Sequence, residues 1–172
     1  MQDFVHLHVH TQYSLLDGQA SVSRLVDKAM KDGMKGIAVT DHGNMFGIKE
    51  FTNYVNKKNS GPKGEIKDLK KRIAGIESGE IECEDKEAEI AGCRAKMAEA
   101  ESKLFKPIVG CEMYVARRTM DKKEGKPDQS GYHLIVLAKN EKGYHNLIKL
   151  VSHAWTRGYY MRPRTDRSEL EK

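Results

Sequence analysis

The chain has 172 residues, of which 38% are hydrophobic and 32% charged, with a formal net charge of +5. No apolar run is long enough to cross a bilayer, so a membrane partner is not expected. Three cysteines (Cys83, Cys93, Cys111) without framework spacing exclude a disulfide-stapled fold and imply a reduced, cytoplasmic protein. The charge is uneven. Residues 65–106 hold nine Lys+Arg and eleven Asp+Glu, whereas the remainder carries a net +7, a basic body that implies a polyanionic partner.

In chain order, Phe4-Val5-His6-Leu7-His8-Val9-His10-Thr11 alternates apolar residues with histidines, the period of a β-strand. Val5, Leu7 and Val9 are expected on one face, and His6, His8 and His10 on the other. The segment lacks a basic-then-apolar leader, so no secretory signal is expected here. Ser21 or Ser23 can cap a helix running to about Lys31, with Val22, Leu25, Val26 and Ala29 as its apolar stripe. Gly36 to Thr40 reads as a buried strand ending at Asp41-His42-Gly43-Asn44, and Phe46 to about Lys57 as a second helix. This β-α-β-α rhythm predicts an α/β fold whose chemistry sits where strands end, and His10 and His42 both lie there.

Asn56 to Pro62 reads as a linker. Ile66, Leu69, Ile73 and Ile76 follow at spacings of three, four and three. After Ser78-Gly79 comes Ile90, Cys93, Met97, Ala100 and Leu104. Both series are coiled-coil seams, and together they predict an antiparallel helical hairpin over residues 62–105, inserted into a loop of the α/β domain. Acidic Glu84, Asp85 and Glu87 suit the start of its second helix.

The strand pattern resumes from Pro107 to Val115, with Glu112 near its end as a candidate carboxylate ligand. Ala116 to Ser130 is basic and turn-rich. Tyr132 to Ala138 is a further strand, and Glu141 to Trp155 an amphipathic helix whose His145 and His153 read as surface or packing residues. Arg157-Gly158-Tyr159-Tyr160-Met161-Arg162-Pro163-Arg164 is a basic, aromatic loop of the kind that suits a phosphate backbone and stacked bases.

The candidate site is His8, His10, Asp17, His42, Glu112 and His133. Histidines and carboxylates suit zinc, manganese or iron(II), and more than four ligands implies more than one ion. Clustered ions of that kind polarise a phosphoryl oxygen and lower the pKa of bound water, the chemistry of phosphoester hydrolysis. Asp41 is a candidate to orient an imidazole from behind.

The sequence resembles the PHP (polymerase and histidinol phosphatase) superfamily at His8-Val9-His10-Thr11 and Thr40-Asp41-His42-Gly43. Within it, the branch formed by the N-terminal domains of bacterial replicative DNA polymerase III alpha subunits is the most similar. That closer match runs through Tyr13-Ser14-Leu15-Leu16-Asp17-Gly18, Lys106 to Glu112, and His133 to Asn140 leading into Gly143-Tyr144-His145-Asn146-Leu147. The resemblance implies a distorted seven-stranded β/α barrel, truncated here, holding up to three divalent metal ions. Carried onto this chain, His8, His10, Asp17, His42 and Glu112 are the catalytic ligands and His133 completes the metal set. The family's remaining ligands, a cysteine and a late Asp-x-His, have no counterpart before Lys172. The resemblance further implies a segment of a DNA-directed DNA polymerase, with a 3′–5′ exonuclease as the activity of this domain. DNA and other polymerase subunits, the proofreading and sliding-clamp components among them, are the implied partners.

Two rival readings are a free-standing phosphatase of the histidinol-phosphatase type and a scaffold whose metal site only stabilises the domain or docks a proofreading subunit. For the fold, about four parallel strands are expected, near residues 4–9, 36–40, 108–115 and 133–138, with His10, His42 and Glu112 gathered at one end.

Overall fold

The computed structural model of the chain describes residues 4–129 and 131–172. It separates into two compact units, Met1–Thr52 with Pro107–Lys172, and Asn53–Lys106.

In the first unit, helix α1 (Val22–Lys31) follows Ser21, whose extended backbone makes it the N-cap. Val22, Val26 and Ala29 are buried on one face, as the spacing requires. Lys28 and Lys31 lie in its last turn, where positive charge suits the helix dipole. Asp32 and then Gly33, at φ +78°, end it. Strand β1 (Gly36–Val39) is buried throughout. Helix α2 (Ile48–Lys58) follows the Asp41–Asn44 turn, and from Asn53 onward it belongs to the second unit.

The sheet is built on β2 (Lys106–Ala116). β1 lies on one edge and β3 (Gly131–Leu137) on the other, and β4 (Arg164–Thr165) also pairs with β2. β2 and β4 are parallel, whereas β2 and β3 are antiparallel, with Tyr114 opposite His133 and Glu112 opposite Ile135. The fold is therefore mixed α/β, and the expected set of four parallel strands is corrected in two places. β3 runs the other way, because a period of two specifies which face a residue takes but not the direction of its strand. Residues 4–10 also form no regular strand. They run along β1 through Ala38 N–H to His6 O (2.8 Å) and Thr40 N–H to Val9 O (2.9 Å). The Val9 N–H goes instead to the Thr40 hydroxyl (2.9 Å), which interrupts the ladder.

Alternation on β2 divides labour between its faces. Cys111 and Met113 pack with Leu147, Val151 and Ala154 of helix α6 (Glu141–Thr156) into an apolar cluster. Glu112, one step out of phase, faces the other way. Asn140 caps α6 by accepting the Gly143 N–H at 2.9 Å. Two short helices, α5 (Lys126–Gln129) and α7 (Arg167–Leu170), and strand β4 have no sequence expectation behind them. Arg164, in β4, ties that strand to α5 and to the loops beside it. Its buried guanidinium donates to the carbonyls of Gly158, Asp128, Met120 and Lys122 at 2.8–3.1 Å. Arg164 is thus a structural cation and not a phosphate contact.

In the second unit, α3 (Ser60–Ser78) and α4 (Lys86–Ser102) pack on each other. All nine seam residues are buried or half-buried. Ile76, Cys93 and Ala100 are the most enclosed, together with Phe105. Asn59 joins the two ends, donating to Phe105 O (2.8 Å) and accepting the Phe105 N–H (2.9 Å). Asp85 caps α4 through the Ala88 N–H. The expected linker at residues 56–62 is not a loop. α2 runs to Lys58 and α3 starts at Ser60, so Pro62 falls in the first turn of α3, where its missing N–H costs no hydrogen bond.

Candidate metal centre

Three segments deliver the site. The first, residues 8–18, leaves the edge of β1 and folds into a tight loop. Ser14 N–H bonds Thr11 O at 2.9 Å, and Gly18 N–H bonds Ser14 O at 2.8 Å. A Cβ at Gly18 would fall 1.8 Å from Thr11 O, so only glycine closes this loop. The loop presents His8, His10 and Asp17. The second segment is the turn after β1, where Gly43, at φ +59°, lets the chain reverse behind His42. The third is the β2–β3 pair. Because β3 is antiparallel, a residue near its start sits beside the far end of β2. His133 therefore stands on the same face as Glu112.

All six sequence candidates converge. The His8 and His10 Nε2 atoms lie 2.7 Å and 2.9 Å from one oxygen of Glu112, and 3.0 Å from each other. His133 Nδ1 contacts the other Glu112 oxygen. His42 Nε2 is 2.9 Å from an Asp17 oxygen, and its ring stacks on that of His10 with centroids 4.0 Å apart. Within each of three overlapping groups the ligand atoms lie within 4.8 Å of one another. The groups are His8-His10-Glu112, His10-Asp17-His42 and His42-Glu112-His133. His6, expected on the same face, stays outside and packs edge-on against Phe4. His145 and His153 also stand apart. His153 pairs with Glu169 at 3.0 Å, as expected of a packing residue.

The electrostatics suit cation ligation. Glu112 is buried, which alone would raise its pKa. Hydrogen bonds from His8 and His133 outweigh that and hold it below its ordinary value, so it stays a carboxylate. Burial, reinforced by neighbouring His42, lowers the His10 pKa and keeps the imidazole neutral. Burial pushes the Cys111 thiol up to about 12, and its Sγ lies 3.4 Å from Asp41 O, so it offers no thiolate. Among the described residues, His42 Nδ1 is a buried polar atom without a hydrogen-bond partner, 3.6 Å from Glu112. An orphaned imidazole nitrogen among nitrogen and oxygen donors fits a borderline-hard divalent ion.

Sequence reasoning placed Asp41 behind an imidazole but missed how it acts. Asp41 is buried and accepts from the Thr11 N–H (2.7 Å), the Thr11 hydroxyl (2.8 Å) and the Ser14 hydroxyl (2.7 Å). Ser14 Oγ is also 3.0 Å from His10 Nδ1 and accepts the His42 N–H at 3.1 Å. A hydroxyl has one proton, and that of Ser14 goes to Asp41. Toward His10 it can only accept. His10 is thereby set with Nδ1 protonated and with the Nε2 lone pair facing Glu112 and the other ligands. The signal was present in the sequence as Ser14, four residues after His10, but nothing local says that Asp41 lies beneath both.

The same residues fall within a span shared with known proteins. The PHP domain profile matches residues 6–172. The DNA polymerase III subunit alpha of Borreliella burgdorferi is 39% identical over 170 residues, covering 98% of this chain and 11% of that protein. Its counterparts in Treponema pallidum (39% over 164 residues, 95% of this chain) and Aquifex aeolicus (33% over 177 residues, 99% of this chain) are similar over the same span. The chain spans about a tenth of the length of the curated relatives it matches.

Proposed function

The chain belongs to the PHP domain family, and on that premise we propose that it is the N-terminal PHP domain of a bacterial replicative DNA polymerase alpha subunit, with a divalent-metal phosphoesterase site acting on DNA 3′ ends. One observation carries this reading: six nitrogen and oxygen side-chain donors, drawn from separate segments, meet in three overlapping groups, two of which share the buried Glu112. Similarity to chains named DNA polymerase III subunit alpha supplies the substrate class, DNA. The other polymerase subunits, a cytoplasmic setting and a completed seven-stranded barrel belong to the same proposal, as does the assignment of residues 62–105 as an insertion.

His8, His10, Asp17, His42, Glu112 and His133 would hold the ions. When bound, these supply Lewis acidity toward a phosphoryl oxygen and a water acidic enough to attack it. The remaining work falls to the chain's own residues. Glu112 stays ionised and gives the site its permanent negative charge. Ser14 and Asp41 fix the His10 tautomer. The His10–His42 stack holds two rings in register.

The test is paired measurement on the full-length protein. His10→Ala with Asp17→Ala should abolish metal-dependent shortening of DNA 3′ ends and leave nucleotide incorporation in place. Loss of bound metal with the nuclease retained would assign the cleavage to another site. A metal-loaded wild type without any nuclease would leave the domain a scaffold.

A further inference from the structure

Beside the ligands lies a cleft of about 540 Å³, an ordinary size for a small-molecule site. Asp17 and His42, members of one ligand group, form part of its wall. Apart from Asn44 and Arg162 the rest is aromatic and apolar, and much of it faces solvent. Trp155, the single tryptophan of the chain, has its indole N–H bonded to Gly43 O at 2.8 Å, which fixes the ring. Tyr159 stacks on it, with centroids 5.6 Å apart and planes at 20°. The Arg162 guanidinium lies 4.8 Å over the Tyr114 ring on the same wall.

The backbone around this cleft is strained. Among the described residues, the non-glycine positions with positive φ are Leu16 (66°) and Met161 (62°), and both line it. Leu16 is fully exposed and Met161 largely so. A left-handed backbone costs free energy at a residue with a Cβ, and burial of these two side chains does not recover it here. What the strain achieves is placement. It sets two exposed apolar side chains in the lining of a largely aromatic cleft that includes Asp17 and His42.

We infer that this cleft is a base-stacking subsite that takes the nucleobase at the 3′ end of single-stranded DNA, with the adjoining phosphate directed toward Asp17 and His42. The inference rests on the proposed phosphoesterase reading and adds to it the position of the base. Fixed, exposed aromatic planes suit any base, because every base has a π-face, and an arginine over an aromatic ring suits the neighbouring phosphate. Arg162 also separates this occupant from an apolar protein segment, for which a cation at the rim would be poorly matched. Of the other arginines in this loop, Arg164 is committed to four carbonyls and Arg157 pairs with Glu169 at 3.4 Å.

The experiment uses the full-length protein with manganese. The probe is a single-stranded oligodeoxynucleotide ending in 5-iododeoxyuridine, with a phosphorothioate last linkage to resist cleavage. Ultraviolet irradiation followed by peptide mapping should place cross-links on Trp155 or Tyr159. Tyr159→Leu should cut their yield about tenfold, as loss of a stacking partner does. Arg162→Ala provides a second variant that leaves the platform intact and should weaken capture of the probe. Nuclease activity without a cross-link at Trp155 or Tyr159 would overturn the subsite and leave the phosphoesterase standing. A cross-link without any nuclease would retain the subsite and remove the phosphoesterase. Absence of both rejects both. Resistance of the Trp155 and Tyr159 side chains to hydroxyl-radical labelling, unchanged by the probe, would show that protein covers the cleft, which also overturns the inference.

Discussion

The two units of this chain use polar residues in opposite ways. In Asn53–Lys106, ion pairs sit on the outside, as with Arg72–Glu89 at 2.6 Å and Glu99–Lys103 at 2.8 Å, whose members are all exposed or nearly so. Its buried side chains are Val55, Ile76, Cys93, Ala100 and Phe105, with Asn59 as the polar exception. The sheet unit buries Thr11, Ser14, Asp41, Glu112, Asp128, Arg164, Asp166 and Glu169. Each such group loses hydration and needs a placed partner. The helical unit is therefore held by apolar area, and loss of one contact is a loss of packing. The sheet unit spends part of its stability to hold charged and hydrogen-bonding groups in fixed positions, as a reactive site requires.

That contrast is tested most severely by removing the carboxylate shared by two ligand groups. Glu112→Ala should weaken divalent-metal binding by more than about 100-fold, because even partners behind a ligand are worth 10–100-fold. Titration calorimetry on the full-length protein measures it. Unaltered metal affinity would mean that the six side chains converge for some other reason.

The converse experiment acts on the helical unit. Ile76→Ala empties a fully buried position and should destabilise that unit by about 2–4 kcal/mol, read from denaturant melts, with metal affinity unchanged. Replacing residues 62–105 with a short Gly-Ser loop extends the same test. The seam residues satisfy one another, so the sheet unit should retain its circular dichroism signature and its metal binding. A collapse of metal affinity in either variant would join the two units energetically and break the comparison.

A smaller effect separates ligands from the groups that aim them. Ser14→Ala leaves all six ligands in place but frees His10 Nδ1 from its acceptor. Metal affinity should fall about 10–100-fold. Nitrogen-15 NMR of the metal-free protein should show His10 shifting from one tautomer to a mixture. A fall in affinity without a tautomer change would reduce Ser14 to a packing residue.

How much could be read in advance follows the same division. The helical unit was legible because an apolar stripe at three-four spacing names both the helix and its buried face, and Ile66 through Leu104 all obey it. In the sheet unit the ligands were legible by residue type and by their position at strand ends, and His8, His10, Asp17, His42, Glu112 and His133 do meet. What the pattern could not carry was partnership. The direction of β3 is invisible to a period of two, yet it is what brings His133 beside Glu112. Arg164 looked like a surface cation because its four carbonyl acceptors lie up to 44 positions away in the chain. Ser14 stood out only as part of the Tyr13–Gly18 stretch of resemblance, and Asp41 as a neighbour of His42 rather than the anchor of Thr11 and Ser14. Long-range hydrogen bonds to buried polar groups leave no local trace, whether at the site, as for Asp41, or away from it, as for Arg164 and Asn59.

The mildest test sharpens the contrast without touching the ligands. Glu169 is a buried carboxylate of the sheet unit whose pKa is lowered from the ordinary 4.5 to about 2, chiefly because Lys172 and then His153 hydrogen-bond its ionised form. A carboxyl with a lower pKa folded than unfolded favours the folded state when ionised. Its contribution is fully present above about pH 4.5 and declines as the pH falls toward 2. Glu169→Gln should therefore lower stability at neutral pH and make the melting temperature fall less steeply with acidification between those limits. In the helical unit, Glu99 is also held below its ordinary pKa, by Lys103, but both groups are exposed. Water screens such a pair, so Glu99→Gln should leave the acid slope close to that of the wild type. Equal acid slopes in the two variants would show that burial of carboxylates does not distinguish the units, and the division drawn between them would then rest on the metal ligands alone.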